Sequence, residues 1–538
     1  MASSLAIRPV RAPTPKASML DYDDLIALTD LNHLPPQEAL DHLGTLIDLG
    51  HELGKTEGTL HALQWCETLD GRELSASERA ELDYFWANAW GDLQSARHAD
   101  PAVAWAWEQP EQRKQIFHLR RALTNNAFAD LPVARRCQIL TNLGNQLNTA
   151  GRFVEALPYW SRAIELVPEF WMAQGNRGRG LLRYGAELYD PGHQGMLLVF
   201  AHDDLATASA NADQHEHMGH AAARAAFQEW QDEVIAYRDI ETLRETIDLD
   251  SHSLGNENDE QSYRRWCLHH GLFLNPLNDL GAHSIAGHDV LTLPSFTLPI
   301  DEPPMLVGFF NQLKQEYASA RWLYFEAGRG DEAHFSDRGV LLYNTLDYPS
   351  YGLAVEKVKL AYRAAYSIFD KIAFFLNSYM QLGMKPKSVS FSRIWRATPG
   401  APIRSEFDQS ENLPFRGLYW LSLDLFEEEF QEVGDPDARA LKEIRDHLEH
   451  KYLKVHEILL SGTTQSQRFM GPFTDTLAYS IGRGDFEEKT LRLIKLARAA
   501  LIYLSLGMNR EEKRRAKDKS AGIIVQGGFD TWDDEWKQ

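Results

Sequence analysis

Six residues, RDHLEH from Arg445 to His450, put an arginine, an aspartate, two histidines and a glutamate within less than two helical turns. Each type has a distinct use. A guanidinium fork matches paired oxygens of a phosphate, an imidazole moves protons near neutral pH, and a carboxylate four residues before a histidine can accept its hydrogen bond and fix its tautomer. At about 100° per residue, Asp446 and His450 share the side opposite the apolar stripe of their helix. Arg445 lies near the stripe's edge, within reach of Glu449. Such a face can carry proton transfer beside an anion, or be a solvated helix surface with two local ion pairs.

The helix that positions these residues begins at Asp435-Pro436, an N-cap followed by a first-turn proline. Leu441, Ile444, Leu448, Tyr452, Val455 and Leu459 extend its stripe, which puts RDHLEH in its middle. Before it, Val358, Tyr362, Ala365, Phe369, Ile372, Leu376 and Tyr379 recur at spacings of three and four, the mark of one long buried helix. A Pro/Gly-rich connection leads to a shorter helix in RGLYWLSLDLFEEEF. A fourth, KTLRLIKLARAALIYLSLG, reads as closing with Gly507 as C-cap. Four amphipathic helices over residues 346–520 predict a four-helix bundle.

Earlier in the chain, Leu140, Leu143, Gly144, Leu147, Ala156, Trp160, Ala163 and Pro168 fall at the spacings of a tetratricopeptide unit. Gly144 and Ala156 would let two antiparallel helices approach, Trp160 would fill the groove between them, and Pro168 would end the second. Gly178 sits one 34-residue period after Gly144, with Arg177 where a leucine is expected. One full and one partial repeat cannot bury a solenoid core, so flanking helices over 21–230 must complete it. The middle region, 231–345, mixes helix with Gly/Pro-punctuated segments. Its His269, His270 and His283 lack HxxxH or HExxH pairing, so no metal is expected, and Asn275, Asn278 and Asp279 read as turn residues. The fold class expected is all-α: tetratricopeptide-like repeats, a mixed middle and a C-terminal bundle.

A length of 538 residues predicts about three domains. Residues 1–20 read as a flexible tail without the apolar core of a secretory signal, and 521–538 as an acidic one. No run approaches the ~20 apolar residues needed to span a bilayer. Three widely spaced cysteines, Cys66, Cys137 and Cys267, offer neither a disulfide framework nor a CxxC site, which fits a reducing, cytoplasmic location. The net charge of −22 argues against a polyanionic partner. Its distribution does not, since residues 351–520 carry +4 and residues 1–350 carry −23, the basic end closing in NREEKRRAKDKS.

Arg445-Asp446-xxx-His450 on the third helix of a four-helix bundle resembles the signature of HEPN domains, many of which are metal-independent endoribonucleases. Arginine and histidine stand five apart also at Arg113/His118, Arg264/His269, Arg265/His270 and Arg329/His334, but only Arg445 is followed by Asp, Asn or His and lies within the bundle. FDKIAFFLNSYM and GLYWLSLDLFE are similar to a HEPN subgroup in which tetratricopeptide-like helices precede the domain. The resemblance implies a homodimer in which two motifs share one cleft and cut RNA without a metal or other cofactor. His450 would act as acid and base, Arg445 would bind the scissile phosphate, and Asp446 would orient the histidine. The acidic repeat-bearing half is expected to restrain a defence or stress nuclease by covering its basic cleft through electrostatic attraction, or to bind a protein trigger. The alternatives are a non-catalytic dimerisation or nucleotide-binding bundle on an interaction scaffold, and one half of a toxin pair with a nucleotidyltransferase. A scaffold would tolerate Arg445→Lys and His450→Gln; an enzyme would not.

Overall fold

A computed structural model of the protein describes residues 20–98, 101–215, 218, 221–237, 239–297, 302–329, 333–398, 400–408, 410–426, 436–457, 475, 477–518, 531 and 534–537. The expectations for residues 1–19 and for most of 521–538 lie outside these, as do Asp435 and Leu459. The N-terminal half is helical throughout: α1 Tyr22–Ala27, α2 Pro36–Glu52, α3 Thr56–Asp70, α4 Ala76–Arg97, α5 Pro101–Trp105, α6 Pro110–Thr124, α7 Val133–Thr149, α8 Phe153–Leu166, α9 Trp171–Glu187 and α10 Pro191–Gln214. Through the middle run α11 Ala221–Tyr237, α12 Ile240–Thr246, α13 Asn258–His270 and α14 Met305–Ala327. The C-terminal part comprises α15 Leu353–Tyr379, α16 Ser405–Asp408, α17 Leu413–Phe426, α18 Pro436–His450, strands β1 Tyr452–His456 and β2 Ala478–Gly482, and α19 Arg483–Asp518. The fold is all-α, and among the described residues the one ribbon is that in which Tyr452–His456 pairs in parallel with Ala478–Gly482.

The hairpin α7–α8 forms as its small residues require. A β-carbon on Gly144 would stand 2.7 Å from the Trp160 indole nitrogen, so only glycine lets the ring seat there. That nitrogen donates to Asn145 Oδ1 at 3.0 Å. Arg177, the departure from the repeat pattern, forms a two-point ion pair with Asp204 of α10 at 2.7 and 2.6 Å. An apolar position has become a polar tie between consecutive helices.

Helices α15, α17, α18 and α19 form the expected bundle, with α14 packed along α15 and α19. Two terminations differ from the sequence reading. The third helix stops at His450 rather than running through Tyr452 and Val455, which belong to β1. RDHLEH therefore ends its helix instead of occupying the middle. Gly507 is no C-cap: α19 continues to Asp518, and Gly507 is small because the Phe415 ring of α17 packs directly on it.

One contiguous cluster of buried apolar side chains reaches from Tyr22 to Met508, across the boundaries expected at 230 and 345. At its centre Asp424 of α17 is 3 % exposed. It accepts from Arg120 of α6 at 3.0 and 2.8 Å and also pairs with Arg152, just before α8. Burial works against its charge, but the two guanidiniums hold the carboxyl well below the usual carboxylate range. Close by, Gly151 (φ +93°) lies against Gly417, and a β-carbon on Gly151 would collide with the Leu413 carbonyl. A second tie is made by Asp279, read from sequence as a turn residue. It is buried between Arg498 of α19, at 2.5 Å, and the Tyr184 hydroxyl of α9, at 3.0 Å. Salt screens such buried pairs weakly, so these ties between the two halves should persist at high ionic strength. Asn275 and Asn278 do cap turns, through Leu277 N–H and Phe273 N–H.

Candidate active site at the end of helix α18

Leu441, Ile444 and Leu448 bury one face of α18. From α15, the Tyr362 hydroxyl donates to the Leu441 carbonyl and the Arg363 guanidinium to the Leu448 carbonyl, which satisfies a carbonyl at the helix end. Arg363 also stands 3.4 Å from Glu449, which therefore pairs across to α15 and not with Arg445. These contacts fix the last two turns, and with them the direction of the motif.

Arg445 lies at the edge of the apolar face as its spacing implies. Its guanidinium sits 5.4 Å from the centroid of the buried Tyr366 ring, and Nη1 donates to Asp446 Oδ1 at 3.1 Å. Partial burial opposes its charge, but the Asp446 carboxylate, with the Tyr366 and Asp370 oxygens beyond, raises the guanidinium's pKa. Tyr366 is not among the stripe residues that the spacing of α15 picks out. Its role as a platform becomes visible only when α18 crosses α15.

His450 is exposed, and among the described residues no hydrogen bond or ion pair engages it. The expected Asp446 to His450 hydrogen bond is replaced by the Arg445 to Asp446 pair. As the last helical residue, His450 projects into solvent while the adjacent fork takes the carboxylate. His447 turns the other way: its Nδ1 lies 2.7 Å from the Glu443 carbonyl and its ring 5.2 Å from Tyr479 of β2. Cationic groups in these turns also suit the negative end of the helix dipole.

The ribbon after α18 is clamped beside the site. Lys454 is 4 % exposed and reaches Asp347 at 2.5 Å and Asp475 at 2.9 Å. Ser350 N–H donates to the Val455 carbonyl at 2.7 Å. The segment so held is strongly apolar yet exposed: Val340, Leu341, Leu342, Tyr343, Leu346, Tyr348 and Tyr351 all lie open. A contiguous exposed patch of this kind marks an association surface more often than a random feature of a monomer.

Against known proteins, residues 297–511 match the family described as LA2681-like HEPN. The match covers α14 to most of α19 and supports a HEPN-domain protein. The helices whose spacing reads as tetratricopeptide-like lie outside it. No curated protein and no solved structure gives a significant match to the chain. Among the described residues, no helix is long and apolar enough to cross a membrane.

Proposed function

We propose that the chain is a metal-independent endoribonuclease whose site is assembled from Arg445 and His450 of two copies. The observation that carries this reading is the contrast between the two residues. Arg445 is held over Tyr366 by Asp446, as a phosphate-binding group should be, while His450 is left exposed to meet something outside its own chain. A histidine base takes the proton from the RNA 2′-hydroxyl, whose oxygen attacks the adjacent phosphorus. The bond from phosphorus to the 5′-oxygen breaks, and a histidinium returns a proton to that oxygen. Two copies supply two histidines, so base and acid need not be one group. Arg445 neutralises charge on the phosphate oxygens, and Asp446 acts by fixing Arg445 rather than His450. Attack within one nucleotide makes RNA the substrate.

The reading is tested by cutting RNA in excess EDTA. Cleavage should persist and leave 2′,3′-cyclic phosphate and 5′-hydroxyl ends; 5′-phosphate ends or full loss on chelation would replace this mechanism with a metal-dependent one.

Assembly gives a second expectation. The exposed apolar segment beside the ribbon supports self-association through this part of the chain, so Leu341→Asp with Tyr343→Asp should shift sedimentation from dimer to monomer and abolish cleavage. A wild-type monomer that cuts at micromolar concentration would contradict the composite site.

A further inference from the structure

Away from the α18 site, a group of arginines gathers where α9, α17 and α19 meet. Arg416, near the start of α17, is 3 % exposed. Its Nη2 donates to the Thr149 carbonyl at the end of α7, and its guanidinium lies 5.6 Å from the Trp105 ring centroid. Its Nε and Nη1 are buried with no hydrogen-bond partner. No ion pair engages Arg416, Arg183 or Arg179 among the described residues. After burial, Arg183 is the charge that lowers the proton affinity of Arg416. Arg179 precedes Arg183 by one turn on the same face of α9, lying 4.3 Å from the centroid of the Trp230 ring, and the charge of Arg510 on α19 also acts on Arg183. Among the described residues the carboxylate acting on this group is Glu187, 3.8 Å from Arg510 and favouring the charge of Arg183 as well. Four cations thus share one carboxylate, Arg416 buried and the other three half-buried.

A buried cation without a counter-charge is costly. The strain is visible in proton affinity: burial first, and Arg183 second, push Arg416 down to about 9, and burial with Arg183 pushes Arg179 down to about 10. Two buried donors with nothing to donate to, backed by further arginines, describe the lining of an oxyanion site. The site is distinct from the candidate active site. Phe426, at the far end of α17, touches the Tyr366 platform beneath Arg445, and Arg416 lies ten residues earlier, about 15 Å along the helix.

We infer that Arg416, Arg183, Arg179 and Arg510 form a binding site for a small phosphate-bearing ligand, seated at the junction of the repeat-like helices and the bundle. Its occupancy would tie α9 to α17 and α19. This does not depend on the nuclease reading.

The test uses the full chain, with inorganic phosphate, pyrophosphate and ATP as separate probes and sodium chloride at matched ionic strength as control. At least one probe should raise the melting temperature saturably and bind by calorimetry; the tightest separates a free phosphate from a nucleotide. In Arg183→Gln and Arg179→Gln, half-buried positions that should fold normally, binding should weaken at least tenfold with the unliganded melting temperature unchanged. In Arg416→Gln binding should be lost while the unliganded melting temperature holds or rises, because an uncompensated cation is removed. The inference is overturned by no saturable effect from any probe, by unaltered binding in the α9 variants, or by an unliganded Arg416→Gln chain that melts markedly lower, which would make Arg416 a structural strut met by buried water.

Discussion

Replacing His450 by alanine is expected to slow RNA cleavage by about 10²- to 10⁴-fold, the span of a lost general acid or base, with no change in melting temperature. The second half follows from geometry. His450 is exposed at a helix end and holds nothing in place among the described residues, and surface changes of that kind stay within about 0.5 kcal/mol. Arg445→Lys should cost about 10²- to 10³-fold, since an ammonium keeps the charge but loses the planar fork. Its kcat should fall more than its KM rises, because the fork meets charge that grows in the transition state. Asp446→Asn should give a smaller loss, rescued in part at high RNA concentration, since it positions Arg445 without touching the reacting bond. A scaffold would show none of these effects. The measurement is single-turnover cleavage beside thermal unfolding of each variant.

The largest expected loss of stability is at Asp424. Asp424→Ala should cost about 3–5 kcal/mol, because breaking one side of a buried ionic group leaves the other side uncompensated. Arg152 would keep Glu155, at 2.9 Å, as partner. Among the described residues Arg120 pairs with no other carboxylate, and its buried Nε has no hydrogen-bond partner. The effect should appear as one cooperative transition moved down for the whole chain, since Asp424 of the bundle is paired with α6 and the start of α8. Two separate transitions, with only one shifted, would mean that the halves fold independently. The pH dependence has a defined sign. A carboxylate whose folded pKa is depressed adds stability above its unfolded value, about 3.9, and that contribution is lost as pH falls below it toward the folded value. The Asp424 contribution should therefore be constant from neutrality down to about pH 5 and decline only below about pH 4.

What the sequence made legible was local. The spacing from Val358 to Tyr379 records a helix buried along one face, and Leu353–Tyr379 is that helix. Gly144 and Trp160 record one close approach, written as a small residue opposite a large one. Arg445 at a stripe edge and His450 away from it could also be placed from angle alone.

What failed was non-local. Tyr452 and Val455 continue the helical spacing of α18, and nothing nearby says that Tyr452–His456 will pair instead with Ala478–Gly482, more than twenty residues on. Gly507 looks like a helix end because glycine often is one; its reason is the Phe415 ring of another helix. Asp279 looks like a turn residue and is one end of a buried tie to Arg498. Arg416 carries no motif at all. Its significance lies in two donors that folding leaves unused.

The central claim is that the 2′-hydroxyl next to the broken bond is the nucleophile. It is tested most directly with an RNA that is cut at one mapped bond, compared with the same strand bearing a single 2′-deoxynucleotide on the 5′ side of that bond. The account predicts that cleavage at that position disappears while binding is kept and other sites remain cut. Continued cleavage at the 2′-deoxy position would contradict it.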